Sequence, residues 1–161
     1  MNEKTVTFAA FTDLHLDIMH DGVKRMDAFF RAAEKADVDF IIHLGDFCYP
    51  KGILGVAPEA KLPVNLQLSL DDPPIQPGKD ALLACFRTFP KPSYPVLGNH
   101  DMDFCSKQDA MEAYGMASPY YAFRVNGWHF IVLDGNHYRD DAGVLRDYGF
   151  AASYYRDQPY L

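Results

Sequence analysis

Apolar residues in the first half of the chain occur in two short runs with one amphipathic stretch between them. The runs Thr5 to Phe11 and Phe40 to Leu44 are rich in aromatic and β-branched residues, which is typical of buried strands. Five apolar residues between the runs fall on one helical face: Val23, Met26, Phe29, Phe30 and Ala33. Strand, helix and strand in this spacing predict a βαβ unit with a parallel sheet, and therefore an α/β protein.

The pattern continues to about residue 133. Four further elements are predicted: a helix over Lys79 to Phe89, a strand over Ser93 to Leu97, a helix from Ser106 to Tyr114, and a hairpin joining Tyr120 to Val125 with Trp128 to Leu133. Ser106 and Asp109 have the spacing of a helix cap, and Gly115 suits the end of that helix. Asn126-Gly127 between two apolar runs favours a tight hairpin turn. Residues 138–161 show no clear periodicity.

The segment Pro50 to Gly78 differs in composition from the rest of the chain. It contains six of the eleven prolines and three of the eleven glycines, so a regular element is not expected there. Loops of this length are uncommon unless they serve a function or are mobile. We predict a long loop or insertion that either overhangs a site near residue 46 or lies on the surface without a role.

A short polar cluster follows each of three predicted strands. The clusters are Asp13-Leu14-His15, Gly45-Asp46 and Gly98-Asn99-His100-Asp101. Ligands of open α/β sheets bind just beyond the carboxyl ends of the strands, so the three clusters are expected to converge. Carboxylate, amide and imidazole groups together suit divalent ions such as Mn, Fe or Zn.

In this order the three clusters resemble the D-x-H, G-D and G-N-H-D motifs of the calcineurin-like metallophosphoesterases. The resemblance covers roughly residues 5 to 137. It implies a single domain over residues 1–161 with a four-layer α/β/β/α sandwich, of which the C-terminal part of the second sheet is missing. Two later motifs of that family, a lone His and G-H-x-H, are absent from the sequence, so residues 1–161 are expected to be the N-terminal portion of the domain.

The resemblance also implies a site for two divalent metal ions. Asp13 and His15 would bind the first ion, Asp46 would bridge the two, and Asn99 would bind the second. Without the later motifs, the first ion lacks one His ligand and the second lacks two ligands. We therefore expect this chain alone to hold at most one ion well. The missing ligands would come either from a longer form of the protein or from a second chain.

The activity implied by the resemblance is hydrolysis of a phosphomonoester or phosphodiester by metal-activated hydroxide. His100 would stand near the leaving group as a general acid or as a stabiliser of developing charge. Asp101 would accept a hydrogen bond from the His100 ring and fix its orientation. The alternative is a catalytically impaired module that keeps the fold and serves in binding or as a scaffold.

Two further residues are candidate ligands. Tyr49 stands in Gly45-Asp46-Phe47-Cys48-Tyr49, which resembles the G-D-x-x-Y of purple acid phosphatases, where that Tyr binds ferric iron. His137 follows the predicted hairpin and could replace a missing ligand. The remaining three histidines are interpreted as structural: His20, His43 and His129.

Composition narrows the range of partners and locations. Fifteen Lys and Arg stand against 22 Asp and Glu, for a net charge of −7. Proteins that bind a nucleic-acid backbone need clustered basic residues, so we expect no nucleic-acid partner and instead a small phosphorylated substrate, with nucleotides among the candidates. No apolar stretch approaches the ~20 residues of a membrane span, and the three cysteines show no zinc-finger spacing. These features indicate no membrane partner and a cytoplasmic location. An incomplete second sheet would leave an unpaired edge through which the chain could self-associate.

Overall fold

The computed structural model describes residues 5–16, 19, 21–48 and 83–150. Its main sheet has three parallel strands in the order β1 (Phe8–Phe11), β2 (Phe40–His43) and β3 (Ser93–Pro95). Phe8 pairs with Phe40 and Ile41 pairs with Ser93. The predicted parallel βαβ unit is confirmed, and its strands are shorter than predicted. The segment 50–78 lies outside the described residues.

Three helices accompany this sheet in the described ranges. Helix α1 is Gly22–Lys35, the described part of α2 covers residues 83–87, and α3 is Lys107–Tyr114. Met26 and Ala33 of the apolar face of α1 are buried, whereas Val23 of the same face is 44% exposed. Val23 stands in the first turn of the helix, beyond the part of α1 whose side chains are buried.

The cap predicted for α3 is confirmed. The Ser106 hydroxyl accepts from the Asp109 amide at 3.1 Å, and the Asp109 carboxylate accepts from the Ser106 amide at 3.2 Å. Two helical donors are thereby satisfied at the start of the helix. Gly115 ends it in the left-handed conformation, with φ of 70°.

The two faces of strand β2 pack against different parts of the molecule. Ile41 and His43 point to the face that carries the helices, where the His43 ring packs 5.0 Å from Phe86 of α2. Phe40 points to the other face, where its ring lies 5.0 Å from Phe130 in an antiparallel hairpin. The hairpin consists of β4 (Tyr121–Val125) and β5 (Trp128–Val132), as predicted. The sheet therefore lies between a helical layer and an aromatic layer.

A second antiparallel pair was not predicted. It joins β6 (His137–Arg139) to β7 (Leu145–Asp147), in a region that shows no periodicity in the sequence. The Asp140 carboxylate holds the connecting turn, because it accepts from the amides of Ala142 at 3.0 Å and Val144 at 2.8 Å. Among the described residues, no helix is both long enough and apolar enough to cross a bilayer.

Candidate metal centre

The polar clusters leave β1 and β2 through tight turns that run side by side. Asp13, His15 and Asp46 all have positive φ values, of 53°, 45° and 55°. Asp and His tolerate this left-handed conformation better than most residues. The Asp13 amide donates to the Gly45 carbonyl at 3.1 Å, and the His15 amide donates to the Asp46 carbonyl at 2.9 Å. These bonds bring the first two clusters together, as the sequence predicts.

Two glycines allow the third cluster to approach the second. A Cβ on Gly45 would lie 2.6 Å from the Gly98 Cα, and a Cβ on Gly98 would lie 2.2 Å from Asp46 Oδ1. Both distances are far below van der Waals contact, so only glycine fits at these positions. The close approach places the end of β3 directly against the Asp46 carboxylate.

Asp13, His15 and Asp46 form a group whose ligand atoms all lie within 4.8 Å of one another. His15 Nε2 is 3.7 Å from Asp13 Oδ1 and 3.9 Å from Asp46 Oδ2. Two ligands bound to one ion by bonds of about 2.0–2.2 Å stand about 3–3.5 Å apart, so a small closure would bring these atoms to coordinating distance. The donor set of two carboxylates and one imidazole fits a divalent ion of the Mn, Fe or Zn type.

Asn99 lies in the chain between two residues that touch Asp46. Its neighbour Gly98 packs on the Asp46 carboxylate, and the amide of its other neighbour, His100, donates to Asp46 Oδ1 at 2.9 Å. The ring centroids of His100 and His15 are 5.2 Å apart. The third cluster therefore joins the other two, while the assignment of Asn99 as a ligand stays a prediction.

Asp101 has a different role from the one predicted. Its side chain is fully buried, and its oxygens accept from the amides of Asp46 at 3.0 Å, Phe47 at 2.9 Å and Gly98 at 2.8 Å. The Tyr114 hydroxyl donates to it at 2.6 Å. The expected hydrogen bond from the His100 ring to Asp101 was therefore wrong. Asp101 instead joins the turns that follow β2 and β3, and so holds the backbone of Asp46.

Burial changes the pKa values of Asp101 and Tyr114. Desolvation raises the pKa of the Asp101 carboxyl to about 7, against the hydrogen bonds from Tyr114 and the backbone amides, which lower it. Desolvation, together with the neighbouring Asp101 charge, raises the pKa of the Tyr114 hydroxyl well above its ordinary value. Tyr114 therefore stays protonated and serves as a permanent donor to Asp101.

Asp103 is the residue that orients His100, and the sequence analysis did not identify it. Asp103 Oδ2 accepts from His100 Nδ1 at 2.6 Å, and the Asp103 side chain is 8% exposed. This hydrogen bond raises the pKa of His100, against the effect of burial, so the imidazolium form is favoured. A 3-10 turn spans His100–Met102. Side chains three residues apart stack in such a turn, so the i, i+3 spacing was the available signal.

A second group of two carboxylates and one imidazole lies elsewhere: Asp134, His137 and Asp147. The Lys107 ammonium lies among them, 2.7 Å from Asp134 Oδ2 and 2.8 Å from Asp147 Oδ1. These are the same oxygen atoms that contact His137. Lys107 therefore already offsets part of the negative charge of this group. His137 therefore lies with Asp134 and Asp147. Its role as a replacement ligand for the first group stays a prediction, and this placement does not favour it.

Tyr49 and His20 lie outside the described residues, so their roles stay predictions; a colourless iron-loaded protein would remove Tyr49 as a ligand. His43 lies in the core, as expected for a structural residue, and burial lowers its pKa to about 3. His129 lies on β5 and is exposed.

Comparison with known proteins agrees with this geometry. The family model of the calcineurin-like phosphoesterases matches residues 6–160, which is nearly the whole sequence. No curated protein matches the chain. The three clusters that resemble this family in sequence also meet at one edge of the parallel sheet. This chain belongs to the calcineurin-like phosphoesterase family.

Proposed function

We propose that this protein hydrolyses phosphate esters with the help of bound divalent metal ions. The observation that carries this proposal is the convergence of Asp13, His15 and Asp46 within 4.8 Å of one another, with His100 beside them. The described residues place no lysine or arginine in an ion pair with this group, so its two carboxylates repel each other unless a cation is bound. Membership of a phosphoesterase family supports the same activity class.

The chain supplies most of one metal site and part of another. Asp13, His15 and Asp46 would hold the first ion, and Asp46 with Asn99 would hold the second. Bound divalent ions lower the pKa of a coordinated water and polarise phosphoryl oxygens. The Asp46 carboxylate is fixed for this task because His100 N donates to one of its oxygens, which leaves Oδ2 facing His15. Manganese, iron or zinc suits these ligands.

The proton for the leaving oxygen would come from His100. The hydrogen bond from Nδ1 to Asp103 favours the protonated ring, and the ring lies next to His15. A protonated imidazole at this place can donate to an alkoxide or phenoxide as the ester bond breaks. Asp101 contributes indirectly, since it holds the backbone of Asp46.

The substrate and setting follow from composition and family. We infer a small phosphorylated substrate, either a monoester or a diester, with nucleotides as one class. We also infer a cytoplasmic protein whose domain is built on a four-layer sandwich. Self-association through an unpaired edge of the second sheet stays a prediction.

Activity on model esters tests the proposal directly. p-Nitrophenyl phosphate and bis(p-nitrophenyl) phosphate would be incubated with the protein and manganese. We expect Asp46→Asn to lower kcat/KM at least about 10²-fold, since even the outer partners of metal ligands are worth about 10–100-fold. Asp37→Asn is the matched control, because Asp37 is exposed and pairs only with Lys91 on the surface among the described residues. Equal rates for wild type and Asp46→Asn would refute catalysis at this site.

Metal stoichiometry separates the proposal from the scaffold alternative. Because the second ion has only Asp46 and Asn99, calorimetry should find at most one tightly bound manganese per chain. Two tight ions would contradict the expected ligand deficit. Metal binding that depends on Asp46, without any hydrolysis of either ester, would favour the catalytically impaired module.

A further inference from the structure

Residues 136–150, which contain β6, β7 and the residues that follow, pack on the chain that leaves His100. The Phe150 amide donates to the Met102 carbonyl at 2.8 Å and to the Cys105 carbonyl at 3.1 Å. These carbonyls belong to the 3-10 turn and the loop that carry His100 toward α3. The 136–150 segment therefore helps to fix the position of that turn.

Tyr148 is the side chain of this segment that reaches the partner of His100. Its hydroxyl donates to Asp103 Oδ1 at 3.4 Å, while Asp103 Oδ2 accepts from His100 Nδ1 at 2.6 Å. Tyr148 is 6% exposed and Asp103 is 7% exposed, so solvent has little access to either. Both oxygens of one carboxylate are thus engaged, and the carboxylate plane cannot rotate without breaking a bond.

We propose that Tyr148 is a positioning residue for His100 and acts through Asp103. The inference rests on the proposed function, in which the His100 imidazolium gives its proton to the leaving oxygen and returns to the neutral ring. Tyr148 holds the Asp103 carboxylate in the plane that receives Nδ1–H. The orientation of the ring, and with it the direction of proton transfer, then depends on a residue 48 positions away in the sequence.

Lys107 secures the segment that carries Tyr148. Its ammonium, which is almost fully buried, donates to Asp134 Oδ2 at 2.7 Å, to the Asn136 carbonyl at 2.7 Å and to Asp147 Oδ1 at 2.8 Å. Lys107 is the first residue of α3 and stands four positions after Asp103. One ammonium thus ties the residue before Tyr148 to the same stretch of chain that carries Asp103.

The substitution Tyr148→Phe tests the hydroxyl, because it keeps the packed ring and removes the group that donates to Asp103. A positioning role predicts a leaving-group dependence that general packing does not. Phenyl phosphate releases a basic phenoxide that needs a proton, whereas 2,4-dinitrophenyl phosphate releases a stable anion. We expect Tyr148→Phe to lower kcat about three- to tenfold on phenyl phosphate, the size of one hydrogen bond, and to leave kcat on the dinitrophenyl ester nearly unchanged.

Two controls sharpen the kinetic test. Tyr121→Phe is matched in chemistry, since the Tyr121 hydroxyl donates to the Pro95 carbonyl at 2.6 Å and does not contact Asp103. It should leave the ratio of the two rates unchanged. In a His100→Ala background, Tyr148→Phe should have no further effect on phenyl phosphate, because the two substitutions interrupt one pathway.

A spectroscopic reading tests the same contact without catalysis. In proton NMR of the metal-free protein, the short hydrogen bond to Asp103 predicts a downfield chemical shift for the proton on His100 Nδ1. Tyr148→Phe should shift or broaden this signal, and Tyr121→Phe should not. An unchanged signal together with an unchanged rate ratio would overturn the inference while leaving the proposed function standing. A shifted signal in a protein whose wild type hydrolyses neither ester would retain the positioning role and refute the proposed function.

Discussion

Two groups in this molecule have the same chemical composition and different surroundings. Each brings two aspartates and one histidine within 4.8 Å. In the first, at the ends of β1 and β2, the described residues supply no ammonium or guanidinium partner. In the second, beside β6 and β7, the Lys107 ammonium bonds the two carboxylates at 2.7 and 2.8 Å. The hydrogen bond from Lys107 lowers the pKa of the Asp147 carboxyl, because the ammonium favours the ionised form.

The two groups thus share residue types and differ in the charge around them. Within the described part of the chain, no lysine or arginine offsets the two carboxylates of the first group, which lies at the carboxyl ends of parallel strands on turns whose backbone is fixed by other contacts. The second group has the same donors, but a lysine already takes the place that a cation would occupy. Compensation of the carboxylate charge is therefore the difference between the two groups.

The largest effect on metal binding is expected from a methyl group at Gly98. A Cβ there would lie 2.2 Å from Asp46 Oδ1 and 2.5 Å from the Asp46 amide nitrogen, so the substitution Gly98→Ala must displace the Asp46 carboxylate. We expect manganese affinity to fall at least about 10- to 100-fold, the loss seen when metal ligands are merely misoriented. Calorimetric titration of the two proteins measures this directly.

A glycine beside the second group provides the control for Gly98→Ala. Gly135 stands next to Asp134, and a Cβ added to it meets nothing within 4 Å. Gly135→Ala should therefore leave manganese affinity unchanged. If the two substitutions lowered affinity equally, the first group could not be singled out as the metal site.

The next effect concerns Lys107. The substitution Lys107→Met leaves the Asp134 carboxylate, which is 3% exposed, without its cation. Breaking one side of a buried pair costs about 3–5 kcal/mol, and we expect a loss of about 3 kcal/mol because Asp147 is 67% exposed. Urea unfolding measures it, with Lys91→Met as control, since the surface pair of Lys91 with Asp37 is worth at most about 1 kcal/mol.

The same substitution would make the two groups alike. Without the ammonium, Asp134, His137 and Asp147 have the uncompensated charge of the first group. Manganese should then raise the Tm of Lys107→Met by more than it raises the Tm of wild type. Equal stability of Lys107→Met and Lys91→Met would show that the internal lysine does not balance the second group.

The smallest effect is a pH dependence of the free energy of unfolding that comes from the buried His43. Both ring nitrogens of His43 are buried and have no hydrogen-bond partner among the described residues, and burial lowers its pKa to about 3. The folded protein keeps this ring neutral, whereas the unfolded chain protonates it below about pH 6.5. Stability from this group is therefore constant above pH 6.5 and falls as the pH drops toward 3.

The variant His43→Leu isolates that contribution. Between pH 7.5 and pH 5, wild type should lose about 2 kcal/mol more unfolding free energy than His43→Leu. Asp101 has the opposite effect on stability. Its pKa is raised in the folded state, so it binds a proton at a higher pH than it does in the unfolded chain. The difference between the two proteins is thus the diagnostic quantity, and parallel pH curves would contradict the assignment.

The sequence predicted the parts of the fold that depend on local signals. The βαβ unit follows from apolar runs around an amphipathic stretch, the α3 cap from Ser106 and Asp109, and the hairpin turn from Asn126-Gly127. Asn126 and Gly127 have φ of 50° and 85°, as a tight hairpin requires. The motifs after β1, β2 and β3 likewise predicted which clusters converge, because parallel strands end at one edge of the sheet.

The sequence did not predict features that depend on distant contacts. Strands β6 and β7 have three residues each, too few for a visible alternation, and the Asp140 carboxylate holds their turn. Lys107 has the sequence position of an exposed residue in a first helical turn, yet its partners come from 27 to 40 positions away. Asp103 was missed because its contact with His100 depends on the 3-10 turn.

Anomalous diffraction from crystals soaked in manganese tests the central claim most directly. The account predicts an anomalous peak among the side chains of Asp13, His15 and Asp46, and no peak among Asp134, His137 and Asp147 while Lys107 is present. A peak at the lysine-containing group, or none at the strand ends at millimolar manganese, would contradict it.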